Sequence, residues 1–233
     1  MLFSGLFSWL ENKKKSTYLK NQKNDELVFE LKVEGITDEK ILSAIKKVPR
    51  ELFVEEHLIK DAYQNNALST DCGQTVSQPY VEAYMISFLN LKNTDKILEI
   101  GTGTGWQTAI LSHLCKEVCS IELFETLLNK AKKNLAELNL KNITYKLDDG
   151  NKGWESKDLF DAIIISAASK IIPIALLKNL KNYGYLIMPK ESFLGNQKLL
   201  LIRKKDKHYI QEELFPVKFV PLLNKMSDLN LKV

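Results

Sequence analysis

Apolar residues recur at helical intervals early in the chain and gather into short runs later, so two kinds of element are expected in order. Leu27, Leu31, Ile41, Leu42, Ile45 and Val48 can all face one core, with Gly35 breaking the stretch into two helices. Thr37 or Asp38 can cap the second helix, Lys46 and Lys47 suit its last turn, and Pro49 stops it. Residues 60–80 are irregular and rich in Asn, Asp, Ser, Gly and Gln, the composition of a surface loop or of one that lines a site. Ser77-Gln78-Pro79 then opens an apolar helix containing Val81, Ala83, Met85, Ile86, Phe88 and Leu89, with Ser77 placed as its N-cap.

Beyond residue 95 short apolar strands alternate with helices. Lys96–Ile100, Val118–Glu122, Ile143–Leu147 and Ala162–Ser166 read as strands, with helices over Thr104–Leu114 and Thr126–Leu138. Further strands are expected at Gly184–Met188 and Lys198–Arg203. This alternation calls for an α/β domain: a mostly parallel sheet with helices on both faces, preceded by an N-terminal helical layer. A chain of 233 residues has room for one such domain.

Composition narrows function mainly by exclusion. The net charge is +4, but residues 11–25 alone carry +3, from Lys13, Lys14, Lys15, Lys20 and Lys23 against Glu11 and Asp25. The remainder is nearly neutral and lacks an arginine-rich stripe, so no nucleic-acid partner is expected. Cys72, Cys115 and Cys119 are odd in number, and His113, Cys115 and Cys119 match no zinc spacing, which predicts reduced thiols in a cytoplasmic protein and no metal. The apolar opening Met1–Leu10 is too short to span a bilayer, and its lysines follow the apolar run where a secretory signal would have them before it. The expected divisions are a basic extension over 1–25, a domain over 26–223 and a tail over 224–233, in a monomer.

The chemistry concentrates where the first long strand ends. Leu98-Glu99-Ile100-Gly101-Thr102-Gly103-Thr104-Gly105-Trp106 sets three alternating glycines between a strand and a helix, where backbone N–H groups can approach a ligand. A dinucleotide fingerprint from Gly101 needs glycine at position 106, which is Trp106, and no Gly-Lys-Ser/Thr follows for a P-loop. Glu122 ends the next strand, where an acidic residue of a doubly wound sheet accepts hydrogen bonds from ribose hydroxyls. Asp148-Asp149-Gly150 ends the strand after that, on the same carboxyl edge, in reach of an adenine amino group. A nucleoside ligand without a pyrophosphate fits these features, on a Rossmann-like sheet.

Longer segments carry a family resemblance. Val48-Pro49-Arg50-Glu51-Leu52-Phe53-Val54, Gly73-Gln74-Thr75-Val76-Ser77-Gln78-Pro79-Tyr80, the glycine loop, Gly153-Trp154, Phe160-Asp161-Ala162-Ile163 and Phe219-Val220-Pro221-Leu222 occur in the order found in protein-L-isoaspartate O-methyltransferases. From about Leu27 to Leu222 the chain resembles that family. The resemblance implies an S-adenosylmethionine-dependent methyltransferase fold, S-adenosyl-L-methionine as cofactor, and methylation of the α-carboxyl of L-isoaspartyl residues in damaged proteins and peptides. A related methyltransferase with a different acceptor and a cofactor-binding protein without turnover are the two other readings.

By the same resemblance Ser77 corresponds to the active-site serine, and Thr75 and Val76 to the loop across the substrate. Gly101, Thr102, Gly103 and Glu122 correspond to cofactor contacts, Asp149 and Gly150 to the adenine end, and Gln197 to a residue nearing the cofactor. The sequence departs from the family pattern at Trp106, usually tyrosine, and at Asn65, Ser69, Asp148 and Lys170. Ser77 has no evident His or Asp partner, which argues against a covalent triad and leaves it to orient a carboxylate or to cap the helix. Lys170 reads as a solvated surface lysine and Trp106 as core filling behind the loop.

Overall fold

The computed structural model describes residues 22–154 and 159–224. The readings placed on residues 1–21 and 225–233, most of the basic extension and most of the tail, lie outside the described residues. The first helix, α1, covers residues 22–33. The division drawn after residue 25 therefore falls inside a helix. Leu27 and Leu31 bury on its inner side, Asn24 donates to the Lys46 carbonyl at 2.8 Å, and Asp25 pairs with Lys46 at 2.6 Å.

Helix α2 (Glu39–Lys47) begins as its sequence indicates: the Asp38 side chain accepts from the Lys40 N–H, and Lys46 and Lys47 lie in the last turn. After it come the short antiparallel pair β1 (Leu68–Ser69) and β2 (Thr75–Val76), then α3 (Pro79–Ser87). The sheet is built from β3 (Lys96–Ile100), β4 (Glu117–Glu122), β5 (Ile143–Leu147), β6 (Phe160–Ile165), β7 (Leu180–Glu191), β8 (Gln197–Lys205) and β9 (His208–Val217). Helices α4 (Trp106–Ser112), α5 (Glu125–Glu137) and α6 (Ile174–Asn179) connect its parallel strands.

Strand order is β5-β4-β3-β6-β7-β8-β9, parallel from β5 to β7 and antiparallel at β7–β8 and β8–β9. The chain runs outward from β3 through β4 to β5, then returns to the other side of β3 as β6. The crevice beyond the carboxyl ends of β3 and β6 is thus the switch point at which open α/β sheets bind ligands.

Alternate residues of the central strands enter two cores. Ile97, Val118, Ala162, Ile164 and Ile187 pack against α1 to α5, whereas Leu98, Ile100, Ile121, Ile163 and Ile165 pack on the face covered by Leu176 of α6. Both faces are buried, as a parallel sheet requires. The helical cover is uneven, because α6 is the only described helix contributing to the second core cluster.

The irregular segment before α3 owes its shape to one side chain. Arg50 is fully buried and donates to four carbonyls: Ala62 at 2.8 Å, Gln64 at 3.1 Å, Asn66 at 3.0 Å and Ser77 at 2.8 Å. Its guanidinium stacks over the Trp106 ring at 4.9 Å. A planar fork with five fixed donors can organise several non-repetitive carbonyls at once, which a lysine cannot. The loop is thereby tied to the sheet at the edge where the cavity opens.

Candidate active site

Four loops at the carboxyl edge of the sheet, after β3, β4, β5 and β6, together with the segment before α3 and residues 220–223, surround one cavity. The glycine loop after β3 forms its floor. Gly105, at φ +100°, starts α4, and a Cβ there would stand 2.9 Å from the Leu135 Cδ1, so both backbone and packing require glycine. Beneath the loop runs a buried polar chain. The hydroxyls of Thr102 and Ser120 are hydrogen-bonded at 2.6 Å, and Ser120 and Thr108 each donate to Glu99 Oε2 at 2.6 Å. Burial pushes the Glu99 carboxyl up to about 7, against the pull of those two hydroxyls.

Glu122, the last residue of β4, is fixed by three backbone donors. Gly103 N–H donates to Oε2 at 2.8 Å, and the N–H groups of Leu123 and Phe124 donate to Oε1 at 2.8 and 3.0 Å. Burial raises its carboxyl, and the three N–H bonds oppose the rise. Held in this way, its remaining lone pairs are fixed at the end of the sheet, on the cavity wall. Beyond β5 the backbone of Gly150 presses against Ile100, where a Cβ would lie 2.3 Å from Cγ2. No larger residue fits at that point of the wall.

Of the residues singled out from the sequence, Thr75, Val76, Ser77, Gly101, Thr102, Gly103, Glu122 and Gly150 line this single cavity. Two others do not line it. The Asp149 carboxylate accepts from the Asn151 backbone and side chain, both at 2.9 Å, and so caps a turn. Gln197 forms a reciprocal pair with the Phe219 backbone, donating to its carbonyl at 3.2 Å and accepting from its N–H at 2.7 Å. It acts one step removed, by holding the segment whose next residues, Val220 and Pro221, line the cavity.

The expected capping role of Ser77 is corrected. Gln78 occupies the N-cap position of α3 without a side-chain bond, because Pro79 begins the helix and needs no N–H partner. The Ser77 carbonyl is held by Arg50, and Ser77 and Glu82 both line the cavity. Trp106 is buried as expected, yet its Nε1 has no hydrogen-bond partner, and the same holds for Gln107 Nε2 and Glu82 Oε2. All three residues line the cavity. Ser166, at the end of β6, donates to Gln107 Oε1 at 2.9 Å and fixes that amide. Lys170 is solvated and pairs with Glu191 at 3.5 Å.

Sequence reading missed Glu82, Gln107 and Ser166 as site residues. For Glu82 a signal existed. Positions 82, 85, 86 and 89 share one buried helical face, and a carboxylate among Met85, Ile86 and Leu89 breaks its apolar pattern.

Comparison with known proteins bears on this geometry. A sequence profile described as Protein-L-isoaspartate(D-aspartate) O-methyltransferase (PCMT) matches residues 21–227. The chain belongs to this family. It is 43% identical over 208 residues to a protein-L-isoaspartate O-methyltransferase of Parvibaculum lavamentivorans, covering 88% of this chain and 94% of that one. It is 44% identical over 205 residues to the Serratia proteamaculans protein of the same name, covering 87% and 97%.

A solved protein-L-isoaspartate O-methyltransferase superposes with a TM-score of 0.78 at 25% identity, covering 85% of this chain and 65% of that one. A Plasmodium falciparum protein assigned to PCMT, solved in complex with S-adenosyl-L-homocysteine, superposes at 0.77 with 25% identity, covering 86% and 98%. The Rossmann-like methyltransferase fold is therefore that of the family.

Proposed function

We infer that this chain transfers the methyl group of S-adenosyl-L-methionine to the α-carboxyl of L-isoaspartyl residues in damaged proteins and peptides. The observation that carries the reading is the convergence of the glycine loop, Glu122 and the Thr75–Ser77 segment on one cavity. The residues fit the cofactor: a glycine-floored loop for close backbone approach, an immobilised carboxylate for ribose hydroxyls, and a wall at Gly150 with no room for a side chain. When bound, the cofactor supplies an electrophilic methyl group on a sulfonium.

The protein's share of the chemistry is positional. A carboxylate nucleophile is already ionised near neutral pH, so no general base is needed. Ser77, on the cavity wall, orients the acceptor carboxylate through its hydroxyl. Thr75 and Ser77 also line an adjoining open groove with Tyr80, Phe215, Lys218 and Phe219, a course for the rest of a peptide. Val220 to Leu223 close the opposite side and limit water near the reacting atoms. Asp149 and Gln197 support this site by shaping its walls.

Among the described residues no helix is long and apolar enough to cross a membrane. Three free cysteines support the cytoplasmic assignment. The deciding experiment compares labelled methyl transfer to an L-isoaspartyl peptide and to its L-aspartyl twin. Selective labelling of the former is expected. Bound cofactor with no labelling of either peptide would overturn the reading and direct the search to another acceptor.

A further inference from the structure

Three buried polar atoms belong to side chains of the cavity wall and have no hydrogen-bond partner among the described residues: Glu82 Oε2, Trp106 Nε1 and Gln107 Nε2. The three residues are 4%, 2% and 4% exposed. Polar atoms left unpaired at such depth are costly, and three on one cavity point to a ligand that answers them.

The two donors are held in place. The guanidinium of Arg50 stacks on the Trp106 ring at 4.9 Å, and the Ser166 hydroxyl donates to Gln107 Oε1 at 2.9 Å. With its carbonyl oxygen engaged in this way, the Gln107 amide keeps its N–H groups to give. Both residues follow the glycine loop directly, at the start of α4. Glu82, the one acid of α3, brings an acceptor to the same cavity. The adjoining groove is lined by Thr75, Ser77 and Tyr80, but by none of these three residues. They therefore belong to the part of the cavity that the peptide's course does not share, beside the glycine loop.

We propose that Glu82, Trp106 and Gln107 bind the zwitterionic amino-acid end of the cofactor, Glu82 receiving its α-ammonium and the two N–H donors its carboxylate. The inference rests on the reading of this cavity as the S-adenosyl-L-methionine site. An ammonium has only donors and a carboxylate only acceptors, so each of the three atoms gains a charge-assisted bond. Arg50 does not compete for Glu82, because its four N–H···O bonds go to backbone carbonyls. Burial lifts the Glu82 carboxyl to about 8, with Arg50 opposing the rise and Glu99 adding to it, and an ammonium supplies the cation that would bring it down. The amino-acid end takes no part in the transfer, so anchoring it serves to fix where the methyl group stands.

The test is calorimetric titration with three ligands: S-adenosyl-L-homocysteine, its analogue without the α-amino group, and 5′-methylthioadenosine, which lacks the whole amino-acid end. Wild type is expected to bind the first at least about tenfold more tightly than either of the others. Glu82→Gln raises Kd for S-adenosyl-L-homocysteine about 10- to 100-fold and leaves the other two within about twofold. Gln107→Glu keeps an acceptor for Ser166, and Trp106→Phe keeps a ring beneath Arg50. Each raises Kd for both carboxylate-bearing ligands about tenfold and leaves 5′-methylthioadenosine within about twofold. Equal affinity of wild type for the three ligands overturns the inference. So do variants that leave S-adenosyl-L-homocysteine binding unchanged, and variants that weaken 5′-methylthioadenosine as much, the mark of a merely structural role.

Should a variant fail to fold, wild type decides. The deaminated ligand then reads Glu82, and nitrogen-15 spectra read the donors. The Trp106 indole and Gln107 amide N–H signals are expected to move with S-adenosyl-L-homocysteine and to hold with 5′-methylthioadenosine; signals that move alike with both overturn the inference. A wild type that shows the expected ligand pattern but labels no isoaspartyl peptide loses the functional reading and keeps this one. Failure to bind any of the three ligands overturns both.

Discussion

Glu122, proposed to meet the cofactor ribose, has its orientation fixed by the backbone around it. Its two oxygens take three backbone N–H bonds, so rotamer freedom is spent before a ligand arrives. Glu122→Ala removes the proposed ribose acceptor and frees three donors, one of them in the glycine loop. A hydrogen bond to a charged group is worth about 1.5–3 kcal/mol, so Kd for S-adenosyl-L-homocysteine should rise about 10- to 100-fold by calorimetric titration. An unchanged Kd would remove Glu122 from the cofactor site.

Arg50 is the structural counterpart at the same scale. Arg50→Lys keeps the charge but cannot reach four carbonyls spread over residues 62–77, and it also loses the face of Trp106. Breaking a buried hydrogen-bonded charge network costs about 3–5 kcal/mol, which predicts a melting temperature lower by about 10 °C. The cavity mouth should become protease-sensitive near residues 62–77. A melting temperature within a degree of wild type would contradict the hub role.

Among the elements, Lys96–Ile100, Glu117–Glu122, Ile143–Leu147 and Phe160–Ile165 differ from the expected ranges by two residues or fewer at either end; the first, second and fourth were legible because both faces are buried, whereas the edge strand Ile143–Leu147 has no buried residue and was legible from its place in the α/β alternation. Strand β9 was not, because most of its side chains are exposed and its place comes from backbone pairing with β8. The β1–β2 pair escaped for a related reason: each strand has two residues, held by a loop that Arg50 organises from a distance in sequence. Helix α6, six residues after Pro173, is too short to show a helical period. In the site, the glycine loop and Glu122 announced themselves by spacing along one βαβ unit. The Glu82–Ser77–Arg50 grouping joins residues that only the fold brings together, and Gln197 pointed at the right region with the wrong contact.

That contact makes a prediction about β8. Gln197 clamps Phe219 by two bonds, and the chain beyond it lines the cavity. Gln197→Ala should loosen residues 219–223 and raise the peptide KM severalfold, since each net neutral hydrogen bond is worth roughly 1 kcal/mol, with cofactor Kd changed by less than about twofold because Gln197 does not line the cavity. An effect confined to cofactor Kd would instead restore Gln197 as a direct cofactor contact.

At the scale of the whole molecule, burying acids inside an α/β core imposes a pH dependence on stability. Glu82 and Glu99 are raised to about 8 and about 7, above the 4.5 of an exposed glutamate. The folded state therefore binds their protons more tightly than the unfolded state. Below 4.5 both states are protonated and the folded protein has the full benefit. As pH rises from there to the folded values, the unfolded chain has already released protons that the folded chain still holds, and stability falls. His113 acts in the opposite sense: burial, reinforced by Lys47, lowers it below 6.5, so it favours folding as pH rises to that point. Glu55 and Asp148, both lowered by their hydrogen bonds, matter only in acid.

The interval from 6.5 to 8 consequently belongs to the buried carboxyls, and above about 7 chiefly to Glu82. Melting temperature should decline across that interval by about 5 °C, with a fall of 1 kcal/mol corresponding to roughly 2–4 °C in a chain of this size. Glu82→Gln should flatten the upper part of the decline, and Glu99→Gln the lower part. A wild-type melting temperature that rises from pH 6.5 to 8 would mean that Glu82 is ionised in the folded protein throughout.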